Sequence, residues 1–268
     1  GMLQTILNSG KILALGEGLK GRLGTGSTND AESALTEVTI TDDYDGTNAK
    51  SISTGSNHTF VLLNSGKVLG CGENRYGELG NGETSTGNTT TLQPMDISGG
   101  YDGTNAVAVS TSYYSTCVLL NTGKVLVCGT TFLGTTGTTA TLPSGAASAM
   151  LKYTQLFPMK SSADGGDYAN IEYNGTNAVK ITSVDYSHYV LLDSGKILRT
   201  GSANFHGNDE DDTPFLRPIK SSADGGDYAS MSYDGTNAAY IFGYMANTLF
   251  VVLKSGKIVV CGYNSYGD

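Results

Sequence analysis

Five segments of the chain repeat one pattern of apolar and polar positions. Each segment has a short apolar run, a four-residue turn of the form [NDK]-[ST]-G-K, and a second apolar run. Two short apolar runs joined by a glycine-containing turn are typical of a β-hairpin. The pattern therefore predicts five hairpins, which turn at Gly10, Gly66, Gly123, Gly195 and Gly256.

Two further short strands are predicted beside each hairpin, so that one period contains four strands. In the second repeat we expect them at 50–56, 59–63, 67–72 and 92–98. The hairpin glycines lie 56, 57, 72 and 61 residues apart. A small sheet that buries its faces only against its neighbours is typical of a propeller blade. A second motif, Y-[DN]-G-T-N-A, keeps the same phase and begins at Tyr44, Tyr101, Tyr173 and Tyr233.

The predicted fold class is all-β, a single β-propeller domain of four-stranded antiparallel blades over residues 1–268. We expect about five blades, with approximate bounds 2–49, 50–105, 106–177, 178–237 and 238–268. In this count the first and last blades have three strands each. We expect the chain to be a segment of a longer propeller; the alternative is a self-contained five-bladed ring whose end blades touch through side chains alone.

Composition and charge narrow the classes of function. Glycine accounts for 37 residues and proline for 5, which favours many short strands joined by turns. The formal net charge of −9 argues against a surface that neutralises nucleic-acid phosphates or anionic lipid. No window approaches the ~18 apolar residues of a membrane span. We therefore expect neither a nucleic-acid partner nor a membrane span, and the sequence assigns no localisation.

A glycine-rich stretch, GENRYGELGNG, follows the second hairpin at residues 72–82. Glycine and asparagine enter left-handed conformations at low cost, so the pattern G-x-N-x-x-G-x-L-G predicts a sharp turn after the third strand of a blade. Residues 16–21 match G-x-G-x-x-G in letters. Because no helical period follows Gly21, we do not interpret these residues as a dinucleotide site.

The segment 55–82, GSNHTFVLLNSGKVLGCGENRYGELGNG, resembles a repeat of the regulator of chromosome condensation family. The resemblance implies a β-propeller that serves as a surface for protein partners. Nucleotide exchange belongs to a few members and chromatin binding to members with basic surfaces, so neither is expected of this acidic chain. The chain departs from the family where an aromatic residue usually precedes the third-strand glycine. It has Leu15, Cys71, Cys128, Thr200 and Cys261 at that position.

No constellation in the sequence predicts catalysis, a metal site or a cofactor. Cys71, Cys128 and Cys261 occupy one repeat position on three different blades, Cys117 lies on the second strand of repeat 3, and the sequence contains no C-x-x-C, so we expect free thiols. His58 is expected to make a structural hydrogen bond to a neighbouring loop. Asp185, Ser187 and His188 lie on or beside one strand, where neighbours point to opposite faces, and they are not expected to form a triad.

Acidic runs and a duplicated loop are interpreted as surface features. Residues 42–46 and 208–212 are expected to be solvated loops, with a cation site as the alternative. The sequence KSSADGGDYA occurs at 160–169 and again at 220–229, which indicates duplication of a blade and a loop outside the core.

We expect a non-enzymatic scaffold that presents variable loops to a protein of unknown identity. The alternative is a structural repeat module of a larger cell-surface, adhesin or phage-tail-like protein. The candidate partner-binding residues lie in or beside the glycine turns, and the alternative for them is packing against adjacent blades. They are Lys20, Arg75, Tyr76, Phe132, Phe205, His206 and Tyr266.

Overall fold

The computed structural model describes residues 2–131, 151–201, 213–244 and 248–262. Within these residues the chain forms antiparallel sheets, and its helical segments are 3-10 turns of three residues each. Blade 1 contains β1 (Met2–Ile6), β2 (Ile12–Gly16) and β3 (Ala31–Glu37). Blade 2 contains β4 (Ala49–Thr54), β5 (His58–Leu63), β6 (Val68–Asn74) and β7 (Ser85–Pro94). Blade 3 contains β8 (Ala106–Thr111), β9 (Ser115–Leu120), β10 (Val125–Thr131) and β11 (Leu151–Pro158).

The second half of the chain contains two more sheets. Blade 4 contains β12 (Ala178–Val184), β13 (Ser187–Leu192), β14 (Ile197–Gly201) and β15 (Thr213–Pro218). Blade 5 contains β16 (Ala238–Tyr244), β17 (Thr248–Leu253) and β18 (Ile258–Gly262). In the described residues the strands of each sheet follow chain order in space. The predicted class, an all-β propeller of about five blades with incomplete first and last blades, is confirmed.

The five predicted hairpins are confirmed. Gly10, Gly66, Gly123, Gly195 and Gly256 each lie between the paired strands of a hairpin and have φ between 80° and 87°. This conformation is easily reached only without a Cβ, which explains why glycine recurs at the turn.

The fourth strand of the second repeat differs from the prediction. It was expected at 92–98, but β7 runs from Ser85 to Pro94. The chain pairs with β6 soon after the glycine turn, with Asn74 opposite Ser85 and Gly72 opposite Thr89. Residues 85–91 carry few apolar side chains because this outer strand is largely exposed, so the apolar pattern marked only its end.

Two compact units make up the chain. The first contains blades 1 and 2 and most of blade 3, and the second contains blades 4 and 5. Neighbouring blades within each unit pack face to face. We call the side of a blade that meets the next blade in sequence its forward face, and the side that meets the preceding blade its rear face.

Blade 2 illustrates both faces. On its forward face, Phe60 and Val68 are fully buried in a cluster with Val118 and Leu126 of blade 3. On its rear face, Val61, Leu69 and Cys71 are buried against blade 1. Their partners on the forward face of blade 1 are Ile12 and Ala14.

Blades 4 and 5 repeat this packing in the second unit. Tyr189 and Ile197 on the forward face of blade 4 are buried against the rear face of blade 5, which contributes Leu249 and Val251. Alternation along each strand thus supplies two apolar faces per blade, as a propeller requires.

The two repeated motifs of the sequence meet in space and connect consecutive blades. The tyrosine that opens each Y-[DN]-G-T-N-A motif is buried, and its hydroxyl accepts a hydrogen bond from a backbone N–H at the start of the second hairpin strand of the preceding blade. The pairs are Tyr44 with Ile12 at 2.8 Å, Tyr101 with Val68 at 2.9 Å, Tyr173 with Val125 at 2.8 Å, and Tyr233 with Ile197 at 2.9 Å.

The remainder of this motif lies over the hairpin turn. Asp102 accepts hydrogen bonds from the backbone and hydroxyl of Thr104, which fixes the linker as an Asx turn. The Ala106 amide then donates to the carbonyl of Gly66 on the blade 2 hairpin at 3.2 Å. The Asn121 amide on the blade 3 hairpin donates to the carbonyl of Asn105 at 2.9 Å. Each linker therefore joins the hairpin before it to the hairpin after it.

Candidate interaction surface

The glycine turn of blade 2 is held by a buried asparagine. The side chain of Asn74 accepts a hydrogen bond from the Leu79 amide at 3.0 Å and donates to Asn81 Oδ1 and the Glu83 carbonyl. Leu79 is buried in the core, and Glu78 Oε2 accepts from the Tyr76 amide at 2.8 Å. The motif is thus turn chemistry, as predicted, and it leaves the side chains of Arg75 and Tyr76 at the surface.

Cysteines occupy the place where the glycine turn of one blade approaches the next. Cys71 Sγ lies 3.7 Å from the Arg22 carbonyl, and Cys128 Sγ lies 3.3 Å from the Glu78 carbonyl. A Cβ on Gly80 would come within 3.0 Å of Cys128 Sγ. The approach is close enough that a small side chain fits here.

All four thiols are free, as predicted. Burial raises the pKa of Cys71 to about 12 and that of Cys261 to about 11, and it also raises the pKa values of Cys117 and Cys128. Because the thiolate is the nucleophile and metal ligand, the raised pKa values disfavour reaction of these thiols at neutral pH, most of all for the three that are fully buried.

His58 is buried beneath the turn between β8 and β9. Burial lowers its pKa to about 4, partly offset by a hydrogen bond to the Ser115 backbone. Its Nε2 has no hydrogen-bond partner, so a proton there would place a charge in the core. The neutral ring packs edge-on against Phe60 at 5.9 Å between centroids. The predicted bond to a neighbouring loop agrees with the contact to Ser115.

The residues that could be cast as a triad serve a hairpin turn instead. His188 Nδ1 lies 2.7 Å from the hydroxyl of Ser183, its cross-strand partner. Asp185 lies in the turn with φ 46°, and burial raises its pKa. Burial also lowers the pKa of His188 to about 4. Ser187 precedes His188 on β13, so the two side chains project to opposite sides of the strand.

The acidic run at 42–46 is occupied by local interactions. Asp45 accepts hydrogen bonds from the hydroxyl and backbone of Thr47, which lower its pKa, and Asp43 pairs with Lys67. Among the described residues there is no group of three or more His, Cys, Asp or Glu side chains suited to a metal ion. The run at 208–212 lies outside the described residues. Within the described part of the chain, no helix is long and apolar enough to cross a membrane.

A cluster of aromatic side chains lies where the glycine turn of blade 2 meets the first turn of blade 3. The guanidinium of Arg75 lies 5.5 Å from the centre of the Tyr76 ring, and Tyr76 contacts Tyr114 edge-on at 5.0 Å. The ring centres of Tyr113 and Tyr114 are 6.1 Å apart, and Tyr113 is 40% exposed. We call Arg75, Tyr76, Tyr113 and Tyr114 the tyrosine patch.

The corresponding junction between blades 1 and 2 has different chemistry. Arg22 is buried and donates to the Ser56 carbonyl at 2.7 Å and to Glu17 Oε2 at 2.6 Å. Lys20 lies beside it, partly exposed, with φ 64°. One backbone framework thus presents an ionic junction and an aromatic one.

The structure describes three of the seven candidate partner-binding residues. It brings Arg75 and Tyr76 together and places Lys20 at a separate junction. Tyr113 and Tyr114 were missed, although they occupy in repeat 3 the positions of Ser56 and Asn57 in repeat 2. Aligning the turns before the second strand of each repeat would have shown two tyrosines in place of small polar residues. The other candidates, Phe132, Phe205, His206 and Tyr266, lie outside the described residues.

The duplicated loops have the same local structure. In each, a serine and an aspartate form a capping box around a 3-10 turn, with Ser161 and Asp164 in the first copy and Ser221 and Asp224 in the second. Both serines are buried, and in each copy the amide of the next residue donates to the carbonyl of the tyrosine that opens the following Y-[DN]-G-T-N-A motif, Ser162 to Tyr173 and Ser222 to Tyr233.

Sequence comparison finds a known repeat in part of the chain. The regulator of chromosome condensation (RCC1) repeat family matches residues 49–78 and 65–119. An RCC1 repeat-containing protein of Schizosaccharomyces pombe is 31% identical over 119 residues, which are 44% of this chain and 32% of that protein. The chain spans about a third or less of the length of the curated relatives that it matches.

Solved structures with the same fold have little sequence in common with the chain. Human WBSCR16 aligns with a TM-score of 0.71 at 14% identity, over 98% of this chain and 60% of that one. Prp20p of Saccharomyces cerevisiae aligns with a TM-score of 0.64 at 16% identity, over 97% of this chain and 53% of that one. At such identities the likeness establishes the fold alone.

Proposed function

We propose that this chain, which carries repeats of the regulator of chromosome condensation type, is a non-enzymatic scaffold that binds a protein partner through the tyrosine patch. The tyrosine patch itself carries the proposal. Tyrosine and arginine are enriched among the residues that dominate protein interfaces, because they supply large contact areas with few rotatable bonds and a polar end. Here Arg75 and Tyr76 lie on a turn whose backbone is fixed by Asn74. Tyr113 and Tyr114 lie on a turn that is closed by a hydrogen bond from the Ser112 amide to the Ser115 carbonyl.

The state of the titratable groups supports a role without catalysis. His58 and His188 are buried with pKa values of about 4, so neither is poised to exchange protons near neutral pH. Cys71 and Cys128 are buried thiols rather than thiolates. We infer that these groups serve packing.

A protein is the favoured class of partner. The net charge of −9 opposes binding to nucleic acid, whose affinity for proteins depends on neutralising phosphates. Prp20p, which has the same fold, has binding properties towards Gsp1p and histones. For this chain we infer only the general class, a protein segment. Arg75 and the three rings favour one with a carboxylate next to an aromatic or proline side chain.

Selection of peptides from a random displayed library on the purified chain tests this proposal. We expect enriched sequences that carry an acidic residue next to an aromatic residue or proline, and we expect them to be lost when the selection uses Arg75→Glu. Ile97→Ala, which changes an exposed residue outside the patch, is the matched control. Enrichment that is the same on Arg75→Glu as on the unmodified chain would contradict the proposal.

The second candidate is a structural repeat module of a larger cell-surface, adhesin or phage-tail-like protein. It is favoured by the duplicated loops, whose sequence and capping boxes are the same in both copies. The full-length gene product distinguishes the two, since a structural module is expected to have flanking repeats and a secretion or assembly segment.

A further inference from the structure

The dipeptide Asn-Gly occurs twice in the chain, at residues 81–82 and 174–175. Asparagine loses its side-chain amide when the backbone nitrogen of the following residue attacks the side-chain carbonyl carbon. Glycine at that following position favours the attack because it has no side chain in the way. The two pairs have the same reacting atoms but different surroundings, so the fold decides which of them reacts.

Asn174 lies in the linker that follows blade 3, and it is exposed. Its Oδ1 accepts hydrogen bonds from the backbone N–H and the hydroxyl of Thr176, both at 2.9 Å. These two donors would also stabilise the negative charge that develops on the oxygen during the attack. Within the described residues, neither the side-chain nitrogen of Asn174 nor the backbone N–H of Gly175 donates a hydrogen bond. The nucleophile and the leaving group are therefore both open to solvent.

Asn81 has a similar oxygen but a blocked nucleophile. Its Oδ1 accepts hydrogen bonds from Asn74 Nδ2 at 2.9 Å and from the Glu83 amide at 3.3 Å. The Gly82 N–H, in contrast, donates to the carbonyl of Thr154 on β11 of blade 3 at 2.8 Å. A hydrogen-bonded amide gives up its proton only after local opening, so the reaction at Asn81 is suppressed while blades 2 and 3 stay packed.

The position of Asn174 accommodates the product of the reaction in the three other linkers. Asp45, Asp102 and Asp234 occupy it there, and each accepts the same pair of hydrogen bonds from the threonine two residues later. These bonds lower the pKa of all three carboxyl groups, so each is stabilised as an anion. We therefore expect an aspartate at position 174 to keep the turn.

We propose that Asn174 is a site of spontaneous deamidation in the folded chain, with water as the only co-reactant. The Gly175 nitrogen loses its proton to solvent and bonds to Cγ of Asn174, and the side-chain nitrogen leaves with a proton from solvent as ammonia. Water then opens the cyclic imide. Attack of water at Cγ breaks the new bond and gives aspartate. Attack at the backbone carbonyl breaks the original peptide bond and gives isoaspartate, whose main chain runs through the side chain.

The two products differ in their effect on the linker. Aspartate adds a negative charge and keeps the Asx turn, as at Asp102. Isoaspartate lengthens the main chain by a methylene group and moves Thr176 away from its acceptor. The same linker is joined to the blade 3 hairpin by the Ala178 amide, which donates to the Gly123 carbonyl at 3.3 Å. We expect isoaspartate to weaken this contact.

Peptide mapping by mass spectrometry, after incubation of the full chain at pH 8, tests the proposal. In the native protein we expect aspartate and isoaspartate to appear at position 174 at least about tenfold faster than at position 81, because only the Gly82 amide must first be released. In urea both pairs are free, so we expect comparable rates. Asn174→Asp begins with the charge of the product, and it is the matched control that should show no further change at this position.

Circular dichroism verifies that the incubated chain remains folded. An Asn174 that stays intact in the native chain would overturn the proposal, whether or not it reacts in urea. Native conversion of Asn81 as fast as that of Asn174 would also contradict it, since the bond to Thr154 would then give no protection.

Discussion

The phenolic oxygen of Tyr101 accepts a hydrogen bond from the backbone N–H of Val68 at 2.9 Å, within a cluster where both residues are buried. Tyr101 belongs to the linker that follows blade 2, and Val68 opens the second hairpin strand of that blade. The bond thus fixes the linker against the sheet at the point where the next blade begins. The same bond occurs at three other linkers, which makes it a rule of this repeat.

Replacing Tyr101 with phenylalanine should remove this acceptor and keep the ring. The Val68 amide would then be buried without a partner, and we expect the free energy of unfolding to fall by about 1 to 3 kcal/mol. Urea denaturation followed by circular dichroism measures the change. Tyr240→Phe is the control, because Tyr240 is 45% exposed and should change stability by less than about 0.5 kcal/mol. Equal effects of the two substitutions would show that the bond does not stabilise the blade.

Comparing two glycines of nearly the same backbone conformation distinguishes the cost of a strained backbone from the cost of a steric overlap. Gly66 has φ 85° and Gly256 has φ 86°, but only Gly66 lies under a linker. Both alanine variants carry the conformational cost of a left-handed residue, about 1 kcal/mol. We expect Gly66→Ala to lower the melting temperature further, since its Cβ would overlap the Thr104 carbonyl. Equal melting temperatures for the two variants would refute the stacking of linker on hairpin.

Acid should destabilise the protein through His58. Burial lowers the pKa of folded His58 to about 4 from 6.5, so the unfolded state binds the proton first as the pH falls. The contribution of His58 to stability is therefore fully present above about pH 6.5 and is lost progressively towards pH 4, by about 3 kcal/mol, and His188, whose pKa is also lowered to about 4, adds to the decline over the same range. We expect His58→Asn to make the fall in the free energy of unfolding between pH 7 and pH 5 less steep. This range is chosen because the aspartates whose pKa values are lowered titrate below it. An unchanged slope in this variant would exclude His58 as the cause.

Thiol reactivity tests the packing of the blades. We expect a thiol reagent to leave Cys71, Cys117 and Cys128 unmodified in the native protein at pH 8, because they are buried and their pKa values are raised. After unfolding without reductant, the reagent should titrate four equivalents of thiol per chain. Rapid native labelling of Cys71 would indicate that the junction between blades 1 and 2 is open. Fewer than four equivalents after unfolding would indicate a disulfide.

The sequence predicted the features that repeat and missed those that depend on contact between repeats. Glycine at a hairpin turn has a local cause, so Gly66 and its equivalents were found from the pattern alone. The tyrosine motif was recognised only as a marker of phase, because its partner, the Val68 amide, is backbone and leaves no trace in the sequence. β7 was misplaced because its first residues are exposed and follow no apolar alternation.

The site shows the same division. Arg75 and Tyr76 were predicted because they lie in a variable position of a constant turn. Tyr113 and Tyr114 belong to a different turn of the next blade, and only the packing of blade 3 on blade 2 brings them to Tyr76. A patch built from two repeats cannot be read from either repeat alone.

The measurement that tests the central claim most directly is the affinity of a selected peptide ligand for Tyr113→Ala, compared by calorimetry with the unmodified chain and with Ile97→Ala. Truncating an aromatic residue at the centre of an interface costs about 2 kcal/mol or more, so we predict that Tyr113→Ala weakens binding at least about 30-fold while Ile97→Ala leaves it unchanged. Equal affinity for all three proteins would contradict the claim that this chain binds its partner through the tyrosine patch.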